Sequence, residues 1–196
     1  MARTQDAGRI CTAGRHVAVR PGGPADAEAL RSFITGLSQR TQYRRFFAGV
    51  APPGGPLLRA LCGAGNGADI LVAACHCPAC ADRTPGGPIV GHAMAVDSVG
   101  ADGDPAVEVG LVVADGSQRR GVGSALMRTL LARAVGRGAR ALVMDVLPGN
   151  AEVLSMIARH WPAASCELTA DSVVVRARLA GPVPAARIRV PAGQPA

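Results

Sequence analysis

The sequence predicts a mixed α/β domain built around a largely antiparallel sheet. Three observations point to it. Short runs rich in Val, Ile, Leu and Ala recur along the chain, punctuated by Gly and Pro. Segments with apolar residues at helical spacing fall between them, in the order β-α-α-β-β-β-α-β-α-β-β. The chain has 196 residues, 48% of them apolar, which suits one compact domain with loose ends.

Residues 1–14 carry little apolar content and are expected to be disordered. A short alternating strand, His16 to Arg20, is stopped by Pro21-Gly22-Gly23-Pro24. Asp26 is placed to cap a helix from Ala27 to Leu37, with Leu30, Phe33, Ile34 and Leu37 on one face. Ser38 is a second N-cap and opens a helix from Gln39 to Phe47 that holds most of the chain's aromatics. After a Pro/Gly break, Pro56 to Cys62 forms a further short helix. Strands follow at Asp69 to Cys75, Pro88 to Asp97 and Ala106 to Ala114, the first two joined through a Cys-, Gly- and Pro-rich hairpin connection. A helix spans Val122 to Val135, with Leu126, Leu130 and Ala134 beside Met127 and Leu131 on its buried side, and Gly136 and Gly138 end it. Ala141 to Leu147 is a nearly continuous apolar strand, as a buried sheet requires. Ala151 to His160 is helical, and Cys166 to Thr169 with Ser172 to Leu179 form a last hairpin. Residues 181–196 are rich in Pro and Ala and read as a flexible tail, which leaves 15–180 as the folded domain.

Composition narrows the function classes. The net charge is +7 and every basic side chain is Arg. Those arginines are scattered and aromatics make up only 3% of the chain, too few for base stacking, which argues against nucleic-acid binding. No apolar run approaches the roughly 20 residues that cross a bilayer, and the N-terminus lacks the apolar centre of a signal peptide. The expectation is a cytoplasmic protein that does not engage membranes. The six cysteines, Cys11, Cys62, Cys75, Cys77, Cys80 and Cys166, are then reduced thiols. Cys75-His76-Cys77-Pro78-Ala79-Cys80 contains a C-x-x-C pair, but the second pair of a structural zinc site is missing. It reads as a polar loop carrying thiols, with no metal expected.

Chemistry concentrates at Gln118-Arg119-Arg120-Gly121-Val122-Gly123-Ser124, between a strand and a helix. A Walker A loop needs a Lys that this chain does not have. A dinucleotide fingerprint needs Gly where Leu126 stands. What is left is Gln/Arg-x-x-Gly-x-Gly running into a helix. Small residues let the backbone approach a phosphate, and free N–H groups at the helix start face its oxygens. The same glycines also fit a simple tight turn.

Residues 107–131, VEVGLVVADGSQRRGVGSALMRTLL, resemble the acyl-CoA-binding motif of the GNAT superfamily of acyltransferases, and the element order matches from about Arg15 to Ala180. The resemblance implies a GNAT-like fold in which strand 106–114 splays from strand 141–147. It further implies that the pantetheine arm of acetyl-CoA pairs with backbone at Leu111, Val112 and Val113, and that the pyrophosphate rests on Arg119 to Ser124, with Gln118 beside them. Asn150 matches an Asn that contacts the cofactor arm in many members; it is equally placed to be an N-cap. Ser38 to Phe47, SQRTQYRRFF, resembles a Ser-Pro-x-Ser-x-x-x-Arg-Phe-Phe element of bacterial protein lysine acetyltransferases that act on acyl-CoA synthetases. Gln39 and Thr41 depart from it, while Arg45-Phe46-Phe47 keep it.

Acetyl transfer to an amine needs a base, because an ammonium with a pKa near 10.4 is not a nucleophile. Glu108 is the candidate: it interrupts an apolar strand one layer before the turn, where partial desolvation is expected, and it matches the catalytic Glu of that acetyltransferase group. Backbone N–H groups near Leu111 and Val113 are candidate oxyanion donors. Tyr43, the only Tyr, lies in the wrong element for a general acid, and Ser155 is the remaining candidate. His92 and His160 read as structural or surface residues. The expected activity is acetyl transfer from acetyl-CoA to a protein lysine. A small amine acceptor, or a non-catalytic acyl-CoA-binding module, are the alternatives. A homodimer through exposed sheet ends is a further expectation.

Overall fold

A computed structural model gives the fold and describes residues 17–64, 67–76, 87–100 and 102–179. The 1–14 segment, the 181–196 tail and the loop cysteines Cys77 and Cys80 lie outside the described residues. Seven strands form one sheet: β1 (Val17–Pro21), β2 (Asp69–Cys75), β3 (Ile89–Val99), β4 (Pro105–Val113), β5 (Ala141–Val146), β6 (Ser165–Leu168) and β7 (Val173–Arg178), in the order β1-β2-β3-β4-β5-β7-β6. Every neighbouring pair is antiparallel except β4 and β5. The helices are α1 (Ala27–Thr35), α2 (Gln39–Phe46), α3 (Gly55–Leu61), α4 (Val122–Gly136) and α5 (Ala151–His160). The mixed α/β architecture is therefore the expected one, with β3 running two residues further than the sequence suggested.

Leu126, Leu130 and Ala134 of α4 are fully buried against the sheet. The close approach depends on Gly91 of β3, where a Cβ would come within 2.9 Å of Leu126 Cδ1 and 3.2 Å of Val122 Cγ1. Leu30, Phe33 and Ile34 form the buried stripe predicted for α1; the helix ends at Thr35, two residues before the expected end, and Leu37 is buried just beyond it. Asp26 precedes α1 but does not cap it. Its carboxylate is drawn to Arg20, which donates at 2.6 and 3.0 Å, and to the Gly23 N–H at 3.1 Å. A charged partner outcompetes a neutral helix N–H. Ser38 does cap α2, accepting from Thr41 N at 3.2 Å.

The far end of α4 is tied to β2 by charge. Asp69 accepts from Arg133 Nε at 2.8 and 3.0 Å and from Arg137 Nη1 at 2.6 Å. Burial raises the Asp69 pKa, but the two guanidiniums outweigh it and hold the carboxyl below its usual range. A depressed folded-state pKa stabilises above the unfolded value, near 3.9, and that contribution fades as pH falls through the folded pKa. Asp69→Asn is thus expected to cost about 1.5–3 kcal/mol at pH 7 by urea denaturation, and the gap to wild type should close toward pH 2–3. A gap that does not change with pH would refute the ionic origin.

Candidate active site

Strands β4 and β5 begin as partners and then part. Only Ala106–Ala141, Val107–Leu142 and Glu108–Val143 are in register, although β4 runs on to Val113 and β5 to Val146. Over those last residues β5 follows β7, ending at Val146–Val173. The parting leaves one edge of β4 open, and the polarity of that edge follows from alternation. Ala114 donates its N–H to Val90 O of β3 at 2.9 Å. Residues an odd number away, Leu111 and Val113, therefore aim their N–H and C=O groups away from β3 and into the gap. Gln118 Nε2 already donates to Val113 O there at 3.1 Å. The polar groups of Val112 face β3, and its buried side chain packs in the core.

The gap opens into a cleft of about 1490 Å³ lined by β4, the turn after it, α2, α5 and the β6–β7 hairpin. Glu108, Leu111, Val112, Val113, Gln118, Arg119, Gly121, Gly123, Ser124 and Asn150 all line it. Arg120 and Val122 do not. Val122 turns its side chain into the core, and Arg120 is exposed. Ser155 is exposed and outside the cleft, so the alternative acid is not brought to the site, whereas His160 is among the lining residues.

The turn has the geometry of an anion cradle. Gly121, at φ 83°, is the N-cap of α4 and offers no side-chain cap. The first intrahelical bond runs from Ala125 N to Gly121 O at 2.9 Å. The N–H groups of Val122, Gly123 and Ser124 therefore have no helical acceptor and carry the positive end of the helix dipole. Arg119 holds a left-handed φ of 58°, a conformation costing about 1–2 kcal/mol for a residue with a Cβ.

Asn150 has the backbone of an N-cap without the side-chain bond. Its Oδ1 is buried with no hydrogen-bond partner. A buried acceptor left unpaired costs about 1–3 kcal/mol unless a ligand or water supplies a donor. The open N–H groups of Leu111 and Val113, the free helix start and this orphaned acceptor fit the amides and pyrophosphate of coenzyme A.

Glu108 differs from expectation in one respect. It sits in the cleft, but its side chain is exposed rather than desolvated. It has no ion pair within the described residues. Asp145 shares its face of the sheet and accepts from Ser172 Oγ at 2.9 Å. His92 is buried and bonds Leu61 O through Nε2 at 2.9 Å; burial lowers its pKa to about 4, so the ring is neutral and structural.

Several residues that organise the site escaped the sequence reading. Asp115, just after β4, accepts from Ser38 N at 2.9 Å and from Ser38 Oγ and Thr41 Oγ1 at 2.7 Å each. The start of α2 is thereby fastened to the cradle turn. Burial raises the Asp115 pKa, and these donors outweigh it and leave the carboxyl below its usual range. Glu152, in the first turn of α5, meets Arg119 from the turn and, at 3.5 Å, Arg44 from α2. Asp115→Ala is expected to cost about 1–2 kcal/mol, to speed amide exchange in α2 and to weaken acetyl-CoA binding. Unchanged exchange in α2 would show that the fastening is not needed.

Comparison with known proteins agrees with this geometry. The profile of the Acetyltransferase (GNAT) family matches residues 59–160, more than half of the chain. The GNAT domain of S. lividans PAT superposes with a TM-score of 0.67 at 27% identity, covering 83% of this chain and 90% of that one. A GCN5-related N-acetyltransferase from Kribbella flavida shares the fold with a TM-score of 0.60 at 20% identity, covering 83% of this chain and 98% of that one. The cAMP-binding acyltransferase from Mycobacterium smegmatis aligns with a TM-score of 0.50 at 24% identity over 83% of this chain, which spans 43% of that longer protein. No curated protein sequence matches. With the family profile, the parted strand pair and the helix-start cradle in agreement, the chain belongs to the GNAT family of acetyltransferases.

Proposed function

We propose that the protein acetylates a lysine side chain of a protein, with Glu108 as general base. The observation that carries this reading is the position of Glu108. It stands at the last β4–β5 pair, on the open face of the strand, beside the gap that offers the N–H groups of Leu111 and Val113. An amine entering along that face meets the carboxylate next to the acyl group.

The proposed sequence is direct attack. The amine nitrogen forms a bond to the thioester carbon, and the C=O π electrons move to oxygen. Glu108 removes a proton from nitrogen, directly or through water. Collapse re-forms C=O and breaks C–S, and the electron pair leaves on the sulfur of coenzyme A. The thiolate departs without a dedicated acid. Val122 to Ser124 would hold the pyrophosphate through backbone N–H groups, aided by Arg119 and Arg120. Asn150 Oδ1 would accept from an amide of the pantetheine arm. The likeness to S. lividans PAT, a GNAT domain at 27% identity, supports a protein lysine as the acceptor.

The test is intact-protein and peptide mass spectrometry after incubation with acetyl-CoA and three acceptor classes: an acyl-CoA synthetase, lysine peptides, and small polyamines or aminoglycosides. The reading expects Nε-acetyl-lysine, formed fastest on the synthetase. Acetylation of small amines alone, or acetyl-CoA binding without any turnover, would contradict it.

A further inference from the structure

Arg45 of α2 is out of keeping with the other arginines. Among the described residues every other arginine is either exposed or paired with a carboxylate. Arg45 is partly buried, makes no ion pair, and its Nε is wholly buried without a hydrogen-bond partner. Its Cζ lies 5.1 Å from the centroid of the Phe46 ring, and its guanidinium rests on the main chain of Gly110, where a Cβ would overlap Nη2. Burial lowers its pKa and the charge of Glu108 raises it, yet the two side chains are not in contact. A guanidinium stays protonated even so. The protein thus holds a cation without an ion pair, and with a buried unbonded Nε, in the wall of the cleft, which costs free energy in the ligand-free state.

Its address is informative. Gly110 and Glu108 present the same face of β4, one strand repeat or about 7 Å apart. The next residue, Leu111, opens its N–H into the gap. The cation therefore stands between the proposed base and the proposed acyl site, on the side from which an amine approaches.

We infer that Arg45 is a catalytic residue whose guanidinium receives the negative charge that develops on the acyl oxygen as the amine attacks. The inference rests on the proposed acetyl transfer at this site. An acetyl group brings no charge in the ground state, so a cation kept free of partners stabilises the transition state more than the bound substrate. It also disfavours an ammonium beside Glu108, favouring the neutral, attacking amine. Gly110 is part of the device, since any side chain there would displace the guanidinium.

Binding of fixed-charge analogues tests this by calorimetry without reliance on turnover. S-carboxymethyl-CoA puts an anion near the reacting carbon, S-ethyl-CoA puts a neutral group there, and succinyl-CoA carries its carboxylate further out. Wild type should bind S-carboxymethyl-CoA at least about 10-fold more tightly than S-ethyl-CoA. Arg45→Gln and Gly110→Ala should each abolish that preference and leave coenzyme A binding intact, and Arg45→Lys should keep part of it. In acetyl transfer to Nα-acetyl-lysine amide, Arg45→Gln should lower kcat about 100-fold with the KM for acetyl-CoA unchanged. Gly110→Ala guards against a folding defect in the Arg45 variants, because only the mobile end of a side chain must move to admit the methyl group. No preference in wild type, or a preference that survives Arg45→Gln, overturns the inference. A loss confined to succinyl-CoA also overturns it, by assigning Arg45 to an acyl-chain carboxylate. If coenzyme A itself fails to bind, the cofactor reading falls and this inference with it, whereas a missing preference with coenzyme A bound defeats the inference alone.

Discussion

Glu108→Gln is expected to lower kcat for acetyl transfer by about 10²–10⁴-fold while acetyl-CoA binds as before. The substitution keeps the size of the side chain and removes its ability to take a proton. Glu108 is exposed and has no ion pair within the described residues, so its loss should barely disturb the fold. That separation makes the variant informative. A fall in kcat with unchanged melting temperature and unchanged acetyl-CoA affinity can only come from the chemical step. If the variant turns over as fast as wild type, Glu108 is not the base. If it loses acetyl-CoA affinity instead, the carboxylate belongs to the binding surface.

The second large effect is expected at Gly123, with opposite signs on binding and stability. A Cβ there would meet Leu111 Cδ2 and Val113 Cγ2 at 3.6 Å, ordinary contact, so a side chain can be accommodated in the free protein. Aspartate in the first turn of α4 suits the helix dipole and should leave the melting temperature unchanged or slightly raised. The same carboxylate would stand in the cradle proposed for the pyrophosphate. Like charges at that range cost several kcal/mol, and Gly123→Asp should weaken acetyl-CoA binding by about 100-fold or more. Wild-type affinity in a folded Gly123→Asp protein would remove the phosphate from this turn.

The strands and helices were legible in the sequence because their signals are local. Alternation in Val17–Pro21, the apolar run of Ala141–Val146 and the glycines after α4 each fix an element without distant partners. Ser38 was legible as a cap for the same reason. Asp26 was not, because its partner Arg20 lies in the preceding strand and the ion pair is tertiary. The parting of β4 from β5 was expected only through family likeness; in the fold, β5 keeps its partner β7 to Val146 while its pairing to β4 stops at Val143. Glu108 shows the limit of reading burial from neighbours. An apolar strand sequence implies cover, but this one position within it is exposed. Asp115 and Glu152 carry no local motif, and their roles arise where α2, the cradle turn and α5 converge. Arg45 belonged to a recognised element, but its lack of an ion pair is visible only in three dimensions.

The acyl-CoA site itself is tested most directly by a crystal structure of the protein with acetyl-CoA. The pantetheine arm is expected in the gap between β4 and β5, bonded to backbone at Leu111 and Val113 and to Asn150 Oδ1. The pyrophosphate is expected against the N–H groups of Val122, Gly123 and Ser124, with Arg119 released from Glu152 toward it. Acetyl-CoA bound elsewhere, or bound with the Gly121–Ser124 N–H groups facing only water, would contradict it.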